Sequence, residues 1–138
     1  MTQSLFKLTS LNLNGIRSAA SKGVIPWVEA TRPDCICVQE IKAQHADMQG
    51  KFEQIDGMRG YFQFAAKKGY SGVGVYSRHE PSDVISGFSP GEFDAEGRYV
   101  ELRFDKPGRK LSIISCYFPS GSSGEDRQLA KYRFLAEL

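Results

Sequence analysis

Cys35-Ile36-Cys37-Val38-Gln39-Glu40 is the stretch on which the fold turns. Apolar residues from Cys35 to Val38 follow one another without alternation, as expected of a strand buried on both faces at the centre of a sheet. The run closes on a carboxylate. In open α/β sheets, ligands collect outside the carboxyl ends of the strands, so Glu40 stands at an active-site address. A charged group there must be paired, hydrated or metal-bound to offset its desolvation. Two readings stand side by side: an ion pair with Lys42 or Arg17, or a ligand for a cation such as Mg²⁺, which takes one or two protein carboxylates and keeps waters elsewhere.

Upstream, Phe6 to Asn14 alternates, with Phe6, Leu8, Ser10, Asn12 and Asn14 on one face of a second strand. It ends in Asn12-Leu13-Asn14-Gly15, which carries the only two asparagines of the chain. If this strand neighbours the first, both amides reach the edge occupied by Glu40. Asn-Gly is also a common turn pair, so Asn14 has turn chemistry as its other reading. Between the strands, Val24, Trp27, Val28 and Thr31 recur at helical spacing, with Pro26 tolerated near a first turn and Arg32-Pro33-Asp34 ending the helix. Trp27 is thereby expected in the core.

Downstream, a weaker helix is expected over Ala43 to Ile55, stopped by Gly57. Strands are expected at 61–66, 72–77, 98–104 and 111–118, with turns at Gly69 and Gly108. A βαβ unit followed by strands predicts a mixed sheet with helices on its face. Near the end, Ser122-x-x-Glu125 resembles a capping box, and Leu129, Tyr132, Leu135 and Ala136 form an apolar stripe that reaches Leu138 with no stop signal. The expectation is a chain that ends where a longer protein continues, with the inner face of a cut sandwich left wet.

The 138 residues are one domain's worth and can bury roughly two-thirds of their unfolded surface. With 18 basic and 16 acidic residues, the net charge of +2 argues against a polybasic nucleic-acid tail but allows a local basic face. Three cysteines, without a C-x-x-C pair, fit neither a disulfide framework nor a zinc site and read as reduced core thiols. No run approaches the ~18 apolar residues of a membrane span. The N-terminal residues lack the apolar core of a secretion signal, and the expected compartment is the cytoplasm. His45 and His79 read as surface residues.

Five segments carry a resemblance: Leu11-Asn12-Leu13-Asn14-Gly15-Ile16-Arg17, Pro33-Asp34 through Gln39-Glu40-Ile41-Lys42, Gly69-Tyr70-Ser71-Gly72-Val73-Gly74-Val75, Glu96-Gly97-Arg98 and Tyr117-Phe118-Pro119. In order and spacing they resemble the exonuclease III-like apurinic/apyrimidinic endonucleases of the endonuclease/exonuclease/phosphatase superfamily. The resemblance covers nearly the whole chain. It implies the N-terminal half of a DNase I-like four-layer α/β sandwich. It also implies a DNA-repair phosphodiesterase that uses Mg²⁺, with Mn²⁺ as the alternative ion. The substrate implied is double-stranded DNA with abasic sites or 3′ ends.

Carried over residue by residue, the resemblance implies that Glu40 binds the metal and Asn12 orders the site. At the position of Asn14 the family has Asp or Asn, so here a neutral amide leaves Glu40 as the only charged metal ligand. Tyr117 is implied at the scissile phosphate, where a donor aimed at developing charge supports the transition state; its bland reading is an aromatic packed under the following loop. Lys42, Tyr70 and Arg98 are implied on the DNA backbone, with Lys42 alternatively balancing Glu40. The family also needs a later Asp-x-Asn pair and an Asp-His pair, and neither occurs in these residues. The chain as given is therefore expected to be inactive. Two alternatives remain: another phosphoesterase of the superfamily, such as an inositol phosphatase or sphingomyelinase, or a non-catalytic binding fragment. Gly-Tyr-Ser-Gly-Val-Gly and Glu-Gly-Arg argue for the DNA branch.

Overall fold

A computed structural model describes residues 5–87, 91, 93–120 and 124–138. Strand β2 (Cys35–Gln39) is buried along four of its five residues and lies inside a five-stranded sheet. Its partners are β1 (Leu8–Asn12), parallel, and β5 (Val73–Ser77), antiparallel. The sheet continues through β4 (Met58–Gln63) to β3 (Gln54–Ile55), in the order β1-β2-β5-β4-β3. The mixed sheet expected from the sequence is present. A parallel β1–β2 pair needs a crossover, supplied by α1 (Ile16–Ser21) and α2 (Val24–Thr31).

A second sheet, entirely antiparallel, consists of β6 (Asp83–Ser86), β7 (Tyr99–Lys106) and β8 (Arg109–Cys116). The two sheets pack face to face. Cys35, Cys37, Val73 and Val75 from one meet Val100, Leu102 and Ile113 from the other in a single buried cluster. On the opposite face of the first sheet, Ile36, Val38 and Tyr76 pack with Ile16, Val28, Ile41, Met48, Ile55 and Met58. The unbroken apolarity of β2 thus reflects two cores, one on each face. The inner faces are filled only in part: Leu8, on the Cys35 face of the first sheet, and Leu111, on the Ile113 face of the second, remain 51% and 41% exposed, so the expected wet inner layer persists beside this cluster. Further exposed apolar side chains include Leu129, Tyr132 and Leu135 on helix α4 (Glu125–Glu137), while its Ala130 and Phe134 pack on Phe93 and Cys116.

Several elements depart from the pattern read in the sequence. The expected helix over Ala43 to Ile55 is a single turn, α3 (His45–Met48), stopped at Gly50, and the rest is a β3–β4 hairpin. Its two-residue loop is Asp56-Gly57, both left-handed, which is the hairpin turn that Asp-Gly favours. Trp27 is 46% exposed rather than core. The buried side of α2 is narrower than its spacing implies: Val28 is buried, and Trp27 stands with Leu11, Leu13 and Val24 at the edge of a groove. Strands β4, β7 and β8 start or stop a few residues from their expected bounds, as element ends commonly do. The capping box at Ser122 lies outside the described residues, and α4 begins after Gly124. All three cysteines are free, with Cys35 and Cys37 buried. Among the described residues, no helix is long and apolar enough to cross a membrane.

Candidate active site

Parallel pairing of β1 and β2 puts Asn12 opposite Gln39, so the residues just beyond both strands emerge at one edge. There the chain leaves regular structure abruptly. Asn14, Glu40, Lys42 and Ser71 all have left-handed backbones, with φ of 48°, 51°, 52° and 49°. For residues other than glycine this conformation costs about 1–2 kcal/mol, less for asparagine. Main-chain bonds hold it in place. Gly15 N donates to Glu40 O (2.7 Å), Ile41 N to Gly72 O (3.1 Å) and Lys42 N to Ser71 O (2.8 Å).

The strained turn aims Glu40 into a polar cluster. Asn12 Nδ2 donates to Glu40 Oε1 at 2.9 Å, and the Tyr117 hydroxyl stands near enough to the Glu40 carboxylate to favour its charge. Lys42 Nζ lies 3.6 Å from Glu40 Oε2 and donates to Asn14 Oδ1 at 2.7 Å. The hydrogen bond from Asn12 is the main reason that the Glu40 carboxyl is held below its ordinary range; Tyr117 and Lys42 add to it, and together they outweigh partial burial. Glu40 is therefore an anion near neutral pH. Tyr117 is pushed the other way, by burial and by the adjacent Glu40 charge, with the Arg98 cation opposing. Its hydroxyl keeps its proton and acts as a donor.

Of the two ion-pair partners considered for Glu40, Lys42 is the one present. Arg17 instead donates to Lys42 O (3.0 Å) and faces Asp47 (3.7 Å). Asn14 shows both of its readings: its backbone N–H donates to Asn12 Oδ1 (3.0 Å), closing an Asx turn, while its side-chain oxygen points into the cluster and is taken by Lys42. Among the described residues there is no group of three or more His, Cys, Asp or Glu side chains that could form a closed metal cage. One ionised carboxylate fits the lesser protein share that Mg²⁺ asks for, with water and a substrate phosphate oxygen completing its shell. Glu40 is the residue that would hold it.

Beside this cluster a cleft of about 660 Å³ is lined by Lys67, Tyr70, Glu96, Arg98, Tyr117 and Arg127. Tyr70 and Tyr117 meet across Arg98, whose guanidinium carbon lies 5.7 Å and 5.2 Å from their ring centroids. Arg98, expected to touch the DNA backbone, is only 2% exposed. Its Nε donates to Glu96 Oε1 (2.7 Å), its Nη1 to Tyr117 O (3.1 Å) and its Nη2 to Tyr70 Oη (2.7 Å). The guanidinium is spent inside the protein. His45 and His79 are both exposed and away from the cluster, as expected; His45 lies edge-on to Phe64, and His79 pairs with Asp34.

Four further residues take part that the sequence does not single out. Gln63, from β4, reaches across to accept from the backbone N–H groups of Arg98 (3.0 Å) and Tyr99 (3.2 Å). Gln39 donates to Ser115 Oγ (3.1 Å), and Ser115 donates to Val38 O (2.8 Å), joining the sheets close to the site. Glu96 stands in the sequence only as part of a motif, and no strand period announces its pairing with Arg98, because the backbone turns left-handed between them. Gly97 between them is obligatory: at φ 61°, a Cβ would lie 2.6 Å from Ala65 N and 2.8 Å from Gln63 O.

Fold and site together define a two-sheet α/β sandwich with a carboxylate–amide–phenol cluster at the carboxyl ends of its parallel strands. Residues 9–138 match the Endonuclease/Exonuclease/phosphatase family, and the chain belongs to it. It is similar to an exodeoxyribonuclease of Bacillus subtilis (35% identity over 124 residues, 88% of this chain and 46% of that protein). It is also similar to a DNA-(apurinic or apyrimidinic site) endonuclease of Dictyostelium discoideum (32%, covering 88% and 32%) and to exodeoxyribonuclease III of Haemophilus influenzae (33%, covering 96% and 49%). The chain thus spans half or less of the length of these relatives. The crystal structure of the Xenopus laevis APE2 catalytic domain shares the fold, with a TM-score of 0.76 at 23% identity over 96% of this chain and 51% of that one.

Proposed function

We propose that this chain is the substrate- and metal-binding portion of a DNA phosphodiesterase of the exonuclease III type, acting at abasic sites or 3′ ends. The observation that carries the reading is the ionised Glu40 held by Asn12 at the strand edge, with Tyr117 near it, beside a cleft with aromatic and cationic walls. Relatives named as exodeoxyribonucleases and as an abasic-site endonuclease support the DNA substrate. Glu40, with Asn14 if Lys42 yields its oxygen, would hold Mg²⁺, or Mn²⁺ in its place. The bound ion would supply charge neutralisation at the scissile phosphate.

The chain's own groups divide the remaining work. Asn12 fixes the Glu40 carboxylate. Tyr117, which keeps its proton, is placed to donate to a phosphate oxygen as charge accumulates there. Lys42, Lys67 and Tyr70 are the candidates for the DNA backbone. Hydrolysis also needs a base for the attacking water, and both histidines of the chain are occupied elsewhere. The 138 residues alone should therefore bind without turning over.

The test is binding of a fluorescent duplex containing one abasic site, with and without Mg²⁺, alongside an incision assay. Wild-type binding should tighten with Mg²⁺, Glu40→Gln should abolish that response, and neither protein should incise. A response to Mg²⁺ that is identical in the two proteins would remove Glu40 from the metal role. Multiple-turnover incision that disappears in Glu40→Ala would overturn the claim of inactivity.

A further inference from the structure

We propose that Arg98 is a positioning residue and not a phosphate contact: the Glu96–Arg98 pair sets the orientation of Tyr70 and Tyr117 and connects helix α4 to the active-site edge. The inference rests on the function proposed above only in that Tyr117 is the group that meets the phosphate.

The geometry leaves Arg98 little else to do. Each of its side-chain nitrogens already donates within the protein, and it is among the largest fully buried side chains of the chain. A guanidinium taken out of water needs a paired, hydrogen-bonded setting, and turning it outward would leave Glu96, the Tyr117 carbonyl and the Tyr70 hydroxyl short of a donor. A phosphate contact needs the reverse, a free fork facing solvent.

The backbone confirms that the fork is built in. Arg98 N and Tyr99 N share the Gln63 amide oxygen, Tyr117 N donates to Arg98 O at 2.9 Å, and the Gly97 carbonyl accepts from Ser71 Oγ (3.1 Å) and Gly72 N (3.0 Å). Arg98 thus grips Tyr117 by main chain and side chain together. From that grip the Tyr117 hydroxyl is set near Glu40. Glu96 Oε1 accepts a second cation, Arg127 Nη2 of α4, at 3.4 Å. A shift of α4 therefore reaches Tyr117 through Arg127, Glu96 and Arg98 in turn. Glu96 touches neither tyrosine, yet it faces the nitrogen that aligns the plane of the fork.

The experiment compares wild type, Arg98→Gln and Glu96→Gln in the full 138-residue chain labelled with ¹³Cζ-tyrosine, together with the salt dependence of duplex DNA binding. If the pair positions the tyrosines, the Tyr70 and Tyr117 resonances move in both variants while those of Tyr61 and Tyr76 stay in place. The slope of log affinity against log salt should be unchanged in both. A phosphate contact predicts the opposite: a slope reduced by about one in Arg98→Gln, and tighter binding with a steeper slope when Glu96→Gln releases the guanidinium. Either of those results, or unmoved Tyr70 and Tyr117 signals in Glu96→Gln, would overturn the proposal. If Arg98→Gln does not fold, the milder Glu96→Gln decides by itself. A chain that binds no DNA would count against the proposed function, and the tyrosine signals would still decide the positioning role.

Discussion

Strand β2 has a carboxylate just outside each end, and the two are treated differently. Asp34, before the strand, accepts from Lys7 N (2.8 Å) and pairs with His79 (3.3 Å), while Arg78 beside it bonds Pro33 O, Asp56 O and the Asp56 carboxylate. These partners tie the beginnings of β1 and β2 and the end of β5 to the β3–β4 hairpin. Left-handed residues occur here too, but Arg32 caps a helix and Asp56 is a turn residue, places where that conformation is ordinary. Glu40, after the strand, has side chains for partners, and the left-handed Glu40 and Lys42 serve neither as helix cap nor as hairpin turn. One end is closed by its bonds. The other spends backbone strain to gather exchangeable polar groups, the pattern of a site rather than a clasp.

The sharpest way to break that comparison is a stability measurement. Arg78→Ala leaves a largely buried carboxylate with only Arg32, at 3.8 Å, and takes the donor from two carbonyls, and should lower unfolding stability by about 3 kcal/mol. Glu40→Gln should cost less than about 1 kcal/mol, because one hydrogen-bonding oxygen remains. Equal losses in denaturant titrations would erase the distinction between clasp and site.

Metal affinity should separate the ends in the opposite sense. By calorimetry, Glu40→Gln should weaken Mg²⁺ binding at least ~10-fold, about 1.4 kcal/mol, whereas Asp34→Asn should leave it alone. Asn14→Ala should have a smaller effect than Glu40→Gln, since the Asn14 oxygen is already taken by Lys42. Equal losses at Asn14 and Glu40 would make the amide a full partner.

Both carboxyls are held below their ordinary values, 3.8 for Asp34, chiefly by the Lys7 backbone N–H, and 4.5 for Glu40, chiefly by Asn12. A depressed acid stabilises the fold above its unfolded value and loses that contribution as pH falls through the folded one. The stability gap between wild type and Asp34→Asn or Glu40→Gln should therefore be full at pH 6 to 7 and narrow as the medium is acidified past these values. A gap that widens on acidification would reverse the sign of the argument.

The smallest effect is expected at Lys42. Its ammonium lies 3.6 Å from Glu40 but is partly exposed, so the repulsion it exerts on an incoming cation is worth no more than about 1 kcal/mol. Lys42→Met should tighten Mg²⁺ binding by a few-fold at most. Weaker binding would show that Lys42 holds the site in shape.

What the sequence determined by itself was the part written in short-range pattern. The unbroken apolar run of β2, the alternation of β1 and the apolar spacing of α2 each reflect which side of an element faces a core, so the mixed sheet and the address of Glu40 could be read directly. Asp56-Gly57 is equally legible as a hairpin turn, a stronger signal than the helix stop expected at Gly57. Tertiary structure alone decided how far α2 sinks into the core, which leaves Trp27 at a rim, and how the two sheets close on one another. It also decided what Arg98 is for. The residue type and motif are the same for an arginine that grips a phosphate and one that grips two tyrosines; only burial, and the side chains that arrive from distant parts of the chain, determine whether its charge faces water or is spent inside.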